Sequence, residues 1–242
     1  MATHEVLNQV PPLEGYDLFA ADAALAEGVA REGAAWAEDE LHDLGLLAGT
    51  PEAIEWGFKA NANPPVLRTH DKYGHRIDEV DFHPSYLDLM GVATARGLHA
   101  APWSDDRSGA HVARAAGFYL WSQVEAGHGC PISMTYAVVP ALRQQPDLAA
   151  TWEPMLTARH YDGSARPATD KSGALAGMAM TEKQGGSDVR ANTTVAAPTD
   201  VDGEYALTGH KWFCSAPMSD AFLVLAQAPR GLSCFFVPRW TP

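Results

Sequence analysis

The spacing of apolar residues changes near residue 170, and that change limits the folds open to this chain. Before it, apolar residues recur at helical intervals. After it, short β-branched and apolar runs follow one another between turn residues. A chain of 242 residues has room for one large domain or two modest ones. The expected fold class is therefore α+β, with an N-terminal all-α domain over 1–170 and a β-rich segment over 171–242.

In the first part, Asp22 is a good N-cap. Leu25, Val29, Trp36 and Leu41 then keep the 3–4 rhythm, which predicts a helix over 22–47. Thr50 to Asn61 reads as a shorter helix, and "NANPPVLRTHDKYGHR" as a Pro- and Gly-punctuated connection. Pro84 sits where a first helical turn tolerates it. Ser108 and Pro131 open two further helical patterns. In the second part, "GALAGMAM", "ANTTVAA", "EYALTGHKWFCS", "AFLVLAQA" and "LSCFFVP" read as strands. No helix alternates with them, so an antiparallel sheet or barrel is expected rather than a doubly wound parallel one. The last strand, 233–238, is expected to leave an unpaired edge.

Hydrophobic residues make up 46% of the chain, enough for a packed core, and the net charge is -13. An acidic chain repels a phosphate backbone, which disfavours DNA binding by this segment. Three well-separated cysteines, Cys130, Cys214 and Cys234, suggest neither a disulfide framework nor a zinc knuckle and fit a reducing cytoplasm. The first residues lack a signal-peptide pattern, and no apolar run reaches the roughly 20 residues that span a bilayer.

The densest chemistry lies in "MTEKQGGSD", residues 180–188. It lacks the spaced glycines of a dinucleotide loop, the Lys-Ser/Thr of a P-loop and the final glycine of a nucleophile elbow, since Val189 stands there. What remains is a turn with close backbone access at Gly185 and Gly186, hydroxyls at Thr181 and Ser187, and soft apolar residues before it. Two readings stay open on these residues: a ledge for a ligand with one planar apolar face, or a β-turn that satisfies its own backbone.

"MAMTEKQGGSD" resembles the flavin-binding signature of the acyl-CoA dehydrogenase family: an apolar triplet, Thr-Glu, and a small turn ending Gly-Ser-Asp. The second half of that signature is Gly-x-Lys-x-aromatic-x-Thr, and "GHKWFCS" (209–215) occupies its place. The segments "NTT", "GLSCFFVPR", "NANPPVLR" and "DEVDFHP" are similar to the AidB-like, isovaleryl-CoA-dehydrogenase-like branch tied to the alkylation response.

The resemblance implies an acyl-CoA dehydrogenase-type oxidoreductase whose FAD lies along Met178, Ala179, Met180, Thr181, Gly186 and Ser187, and again at Phe213, Cys214 and Ser215. Phe213 would pack on the flavin face, and Ser215 would bond near its reactive nitrogen. Ser187 also stands where the family touches acyl-CoA. Most members carry Trp at the Phe213 position, Thr at the Ser215 position and Pro where this chain has Lys183. The implied reaction is α,β-dehydrogenation of a short or branched acyl-CoA, with electron-transfer flavoprotein or a similar acceptor, in a homotetramer. The family's catalytic carboxylate belongs to a C-terminal helical domain, and 171–242 would be the first part of the middle β domain. No catalytic residue is therefore expected within 1–242, and Glu182 is expected to be a solvated turn carboxylate. On that reading the chain is a truncated portion with weak or no FAD affinity and no dehydrogenation of its own. The branch also implies a possible role in DNA alkylation protection, through that C-terminal region; a non-catalytic fragment is the remaining alternative.

Other clusters carry less. His70, His75 and His83 do not share a helix face and read as surface or capping residues. Cys130 is expected as a buried thiol at a helix end. Trp103, Trp121 and Trp152 are expected in the core, and Glu38-Asp39-Glu40 on a solvated helix face.

Overall fold

A computed structural model describes residues 3–240. Short α1 (Leu18–Ala21) and α2 (Ala23–Arg31) are capped by the Asp17 and Asp22 carboxylates, which accept from backbone N–H groups two or three residues ahead. The helix expected over 22–47 is two helices, because Gly33 at φ +80° ends the first one. Gly33 N–H donates to the Ala30 carbonyl and Ala34 N–H to the Val29 carbonyl, the reciprocal pair that closes a helix on a left-handed residue. The chain restarts as α3 (Glu38–Ala48), with Glu38, Asp39 and Glu40 at the positive end of its dipole. Helix α4 (Pro51–Ala62) follows the Thr50 cap, whose hydroxyl accepts from Ala53 N–H at 3.1 Å.

The expected connection at 61–76 holds a hairpin, β1 (Val66–His70) and β2 (Arg76–Asp81). Asp71 makes its turn by accepting from the N–H groups of Tyr73 and His75. The pair buries little, so its apolar alternation is weak in sequence. Helix α5 (Pro84–Ala95) is capped by the His83 ring; α6 (Ala101–Ser104), α7 (Ala110–Ser122), α8 (Gly129–Leu142) and α9 (Pro146–Leu156) complete the helical part. Their shared core centres on Phe19, Leu44, Leu89, Met90, Leu120, Trp121 and Ile132. Trp121 is 1% exposed and donates to the Leu89 carbonyl at 3.1 Å. Trp103 and Trp152 are half-buried, and Trp152 meets Phe236 edge-on at 4.8 Å. No helix among the described residues is long and apolar enough to cross a membrane.

The β part contains β3 (Ala176–Ala179), β4 (Val195–Pro198), β5 (Tyr205–Thr208), β6 (Ala221–Ala228) and β7 (Gly231–Pro238). β6 is central. β7 pairs antiparallel along its whole length, from Ala221↔Pro238 to Ala228↔Gly231. On its other side β6 runs parallel to β3 and, at Val195↔Gln227, to β4, which carries β5 antiparallel. The sheet is thus mixed and not closed, where an antiparallel one was expected. The long excursion from Met180 to Asp220 lets the chain return in the direction of β3; a tight hairpin would have reversed it.

Helices and sheet share a second core of Val138, Val139, Leu142, Leu156, Ala176 and Leu223. Inside it the Thr135 hydroxyl accepts from Ala176 N–H at 3.1 Å and donates to the Pro131 carbonyl at 2.8 Å, docking α8 on β3. Asp220 binds Lys171 Nζ at 2.8 Å and Leu175 N–H at 2.9 Å, which sets β3 against β6. Burial pushes the Asp220 carboxyl up, and Lys171 opposes that shift.

Candidate functional site

The two sequence segments singled out above meet at the β3 end of the sheet. β3 stops at Ala179, and the chain turns through Thr181–Asp188, with Glu182 and Gly185 exchanging backbone hydrogen bonds. Beyond β5, Gly209–Ser215 returns alongside that turn. Trp212 N–H donates to the Thr181 carbonyl at 3.0 Å, and the Thr181 hydroxyl donates to the Trp212 carbonyl at 2.6 Å. This reciprocal pair makes two ledges lie side by side.

Glu182 holds the arrangement from beneath. It is buried, not the solvated turn carboxylate expected from sequence. One oxygen accepts from Thr194 N–H (2.9 Å), the Thr194 hydroxyl (2.6 Å) and Lys211 Nζ (3.5 Å). The other accepts from Thr193 N–H (2.8 Å), the Thr193 hydroxyl (2.9 Å) and the Gln184 amide (2.9 Å). Burial alone would push the carboxyl up; these hydrogen bonds outweigh it and hold the group far below the carboxylate range. Lys211 also donates to the Leu225 carbonyl at 3.0 Å, tying the second ledge to β6. Gly209 is needed here because a Cβ would come within 2.3 Å of the Thr194 hydroxyl.

The predicted residues fall into three groups. Met178 and Met180 are half-buried and pack against the second core, with Ala179 buried between them on the opposite face of the strand. Thr181 and Phe213 are brought together through the Trp212 hydrogen bonds. Gly186 lies against Thr181, whose Cγ2 a Cβ would approach to 2.5 Å. Ser187 is exposed, and no hydrogen bond ties it to the second ledge. Phe213 is 81% exposed, and its backbone is left-handed at φ +55°, as is that of Ala216 at φ +50°. The Phe213 ring meets the neighbouring Trp212 ring, edge-on at 5.9 Å; an exposed aromatic ring on a strained backbone is a feature that collects at ligand sites. Cys214 is half-buried, and burial pushes its thiol up against the pull of Lys211. Ser215 is exposed.

Ser215 also opens onto a pocket of about 520 Å³ that the sequence did not signal. Its apolar wall includes Val80, Phe82, Tyr86, Pro131 and Met218, with Phe82 and Tyr86 stacked at 4.1 Å. Burial pushes the Tyr86 phenol up. Glu125 and His128 supply polar groups. The ionised Glu125 accepts from His128 Nδ1 at 3.0 Å, from Gly127 N–H at 2.6 Å and from His128 N–H at 2.8 Å, so the imidazole proton is on Nδ1. The His128 bond leads in holding Glu125 at about 2, against burial. Cys130, expected as a buried thiol, is exposed at the start of α8 and lines this pocket. The pocket escaped the sequence because its walls come from the hairpin, α5, α8 and the 215–218 loop, all distant along the chain.

Among the described residues no group of His, Cys, Asp and Glu is placed to hold a metal ion. His83 caps α5, and His75 bonds the Asp71 carboxylate of its own turn at 3.0 Å.

Residues 8–163 match the model of the adaptive response protein AidB N-terminal domain, and residues 177–242 match that of the acyl-CoA dehydrogenase middle domain. The chain is 51% identical over 242 residues to the AidB protein of Escherichia coli K12, covering 99% of this chain and 44% of that protein. The solved apo-form of Bd2924 superposes with a TM-score of 0.81 at 30% identity, covering 96% of this chain and 47% of that one. The structure of Caenorhabditis elegans ACDH-11 in complex with C11-CoA gives a TM-score of 0.80 at 24% identity, over 98% of this chain and 42% of that one; at that identity the likeness is one of fold. The chain spans less than half the length of each of these relatives.

Proposed function

The chain belongs to the AidB family within the acyl-CoA dehydrogenases, and from that premise we propose that its two ledges hold FAD for the α,β-dehydrogenation of a short or branched acyl-CoA. The observation that carries this reading is the reciprocal Thr181–Trp212 hydrogen bonding, which joins both halves of the flavin signature into one surface. That surface fits a planar ligand with a polar edge. Phe213 offers an exposed ring face, worth about 1 kcal/mol beyond burial when stacked. The Met180–Thr181 backbone and the Gly185–Gly186 turn offer polar edge contacts, and Ser187, Cys214 and Ser215 complete the set. FAD, when bound, supplies the hydride acceptance that no side chain provides.

The chain's own residues position and shield. Glu182 and Lys211 fix the ledges, and the pocket beside Ser215 gives the acyl group an apolar wall away from water. Ser187 contacts the acyl-CoA. Glu125 takes no proton-transfer part, since it is held ionised with its oxygens occupied. Removal of the α-proton is assigned to a carboxylate outside residues 1–242, in the part of the relatives that this chain does not span. On this reading 1–170 is the helical domain and 171–242 the first part of the middle β domain. The whole protein would work as a cytoplasmic homotetramer passing electrons to electron-transfer flavoprotein or a similar acceptor.

The full-length protein should purify yellow with bound FAD and reduce a dye acceptor when given isovaleryl-CoA. A colourless protein that cannot be reconstituted with FAD would contradict the flavin assignment. A salt-sensitive DNA shift with no acyl-CoA turnover would replace the substrate assignment with DNA protection.

A further inference from the structure

A second pocket, open to solvent on one side where Arg107 and Arg159 are exposed, lies in the helical half, away from both ledges. Side chains of α3, α7 and the ends of α5 and α6 line a space of about 70 Å³ there, several times the roughly 10–15 Å³ a water requires. Four arginines line it: Arg96, Arg107, Arg114 and Arg159. The chain has 17 Lys and Arg against 30 Asp and Glu, so such a convergence runs against its overall charge.

Of the carboxylates at the cavity, Asp105 pairs with Arg107 and also feels the Arg159 charge, and Glu40 faces Arg107. Arg107 Nε donates to Asp105 at 2.8 Å while its guanidinium lies 4.1 Å over the Trp36 ring, and Glu40 adds to its field. The other three make no ion pair within 4 Å among the described residues. Arg114 is the most telling. Its Nε donates to the Leu98 carbonyl at 2.6 Å, and its guanidinium is held over the Phe118 and Tyr136 rings at 4.7 and 4.2 Å. Its Nη2 is buried with no acceptor. The Arg159 guanidinium packs over Gly97, in the space a Cβ would take, and makes no hydrogen bond there. Arg96, half-buried at the end of α5, completes the set. A buried guanidinium nitrogen with no acceptor is costly, and Arg114 Nη2 is such an atom, while Arg96 is half-buried and Arg159 exposed.

We propose that this cavity binds a phosphate-sized oxyanion, held by Arg96, Arg114 and Arg159, with the Arg107–Asp105 pair forming its rim. Guanidinium forks match the oxygen spacing of phosphate and can bind it through two parallel hydrogen bonds. The space of about 70 Å³ has room for a single phosphate group, and a nucleoside ring would stay at its open mouth. A nucleotide would therefore reach the site with its phosphate alone. The site does not depend on the flavin reading.

The test uses the full-length protein. Inorganic phosphate is titrated at constant ionic strength, balanced with chloride, while the melting temperature is followed, because a ligand that binds the native state raises it by mass action. A saturable rise with phosphate and none with chloride is expected. The double variant Arg96→Gln/Arg159→Gln should weaken phosphate binding at least tenfold without altering its circular dichroism or flavin content; neither side chain belongs to the packed core. A second titration with AMP identifies the source. AMP competing with phosphate marks a nucleotide phosphate, and phosphate acting alone marks the free ion. No phosphate effect beyond that of chloride, or an equal effect in the double variant, would overturn the proposal and leave the cavity to water.

Discussion

Six donors surround Glu182 beneath the first ledge, and its side chain is 3% exposed. At the second ledge, Phe213 stands 81% exposed on a left-handed backbone, its ring met edge-on by Trp212 at 5.9 Å. One segment spends its polar chemistry on rigidity, and the other keeps an aromatic face free. A site built this way is held in shape before a ligand arrives, so little ordering is left for binding to offset. Substitutions beneath the first ledge should therefore reach the fold, whereas substitutions on the second should reach only the ligand.

The largest effect is expected for Glu182→Ala. Removing the carboxylate strands Lys211 and four Thr193 and Thr194 donors, and breaking a buried pair of this kind costs about 3–5 kcal/mol. Denaturant unfolding measures it; a loss as small as that of an exposed residue would erase the contrast between the ledges. Acid should act on the same group. Glu182 and Glu125 both have folded pKa values below their unfolded ones, so their stabilisation is complete above the unfolded carboxylate range of about 4.3. It is lost as pH falls from there toward the folded values, about 2 for Glu125. Unfolding free energies followed down from neutral pH should decline below pH of about 5. The decline should be shallower in Glu125→Gln, and an unchanged slope would mean that this carboxylate is not held low.

Thr181→Val removes the hydroxyl that reaches the Trp212 carbonyl and should cost about 1 kcal/mol of stability. It should also weaken FAD binding, because the ledges lose half of their connection; Thr181→Ser should restore both. Phe213→Ala is the smallest change to the fold, within about 0.5 kcal/mol. Its FAD affinity should nonetheless drop about tenfold, the loss of one stacked aromatic face. If Phe213→Ala unfolded the protein while leaving flavin bound, the assignment of the two ledges would be reversed.

Much of the fold was legible. The Asp22 cap, the helix that begins at Thr50, Pro84 at the start of α5 and the limits of β6 follow from local chemistry. The break at Gly33 was missed, because the apolar 3–4 rhythm continues across it from Val29 to Trp36 and Leu41 while the chain stops its first helix on a left-handed glycine. The hairpin was missed because strands that bury almost nothing leave no clear alternation in Val66–Asp81. The mixed sheet was missed because strand direction depends on how the 180–220 excursion packs, which no local signal encodes. At the site, the signature residues were found through resemblance, but the reason for its Glu was hidden. The partners that bury Glu182 stand at Thr193, Thr194 and Lys211, the last separated from it by loops and two strands. The arginines of the helical cavity are likewise spread from Arg96 to Arg159 and converge only in three dimensions.

The central claim is that the Thr181 and Phe213 segments form one flavin site, and the flavin retained per chain tests it most directly. Full-length wild type, Thr181→Val and Phe213→Ala would each be loaded with FAD, freed of unbound flavin by gel filtration, and read by flavin absorbance against protein concentration. Stoichiometric FAD in the wild type and clear loss in both variants, with Phe213→Ala still fully folded, is the predicted result. Full retention in both folded variants would contradict it.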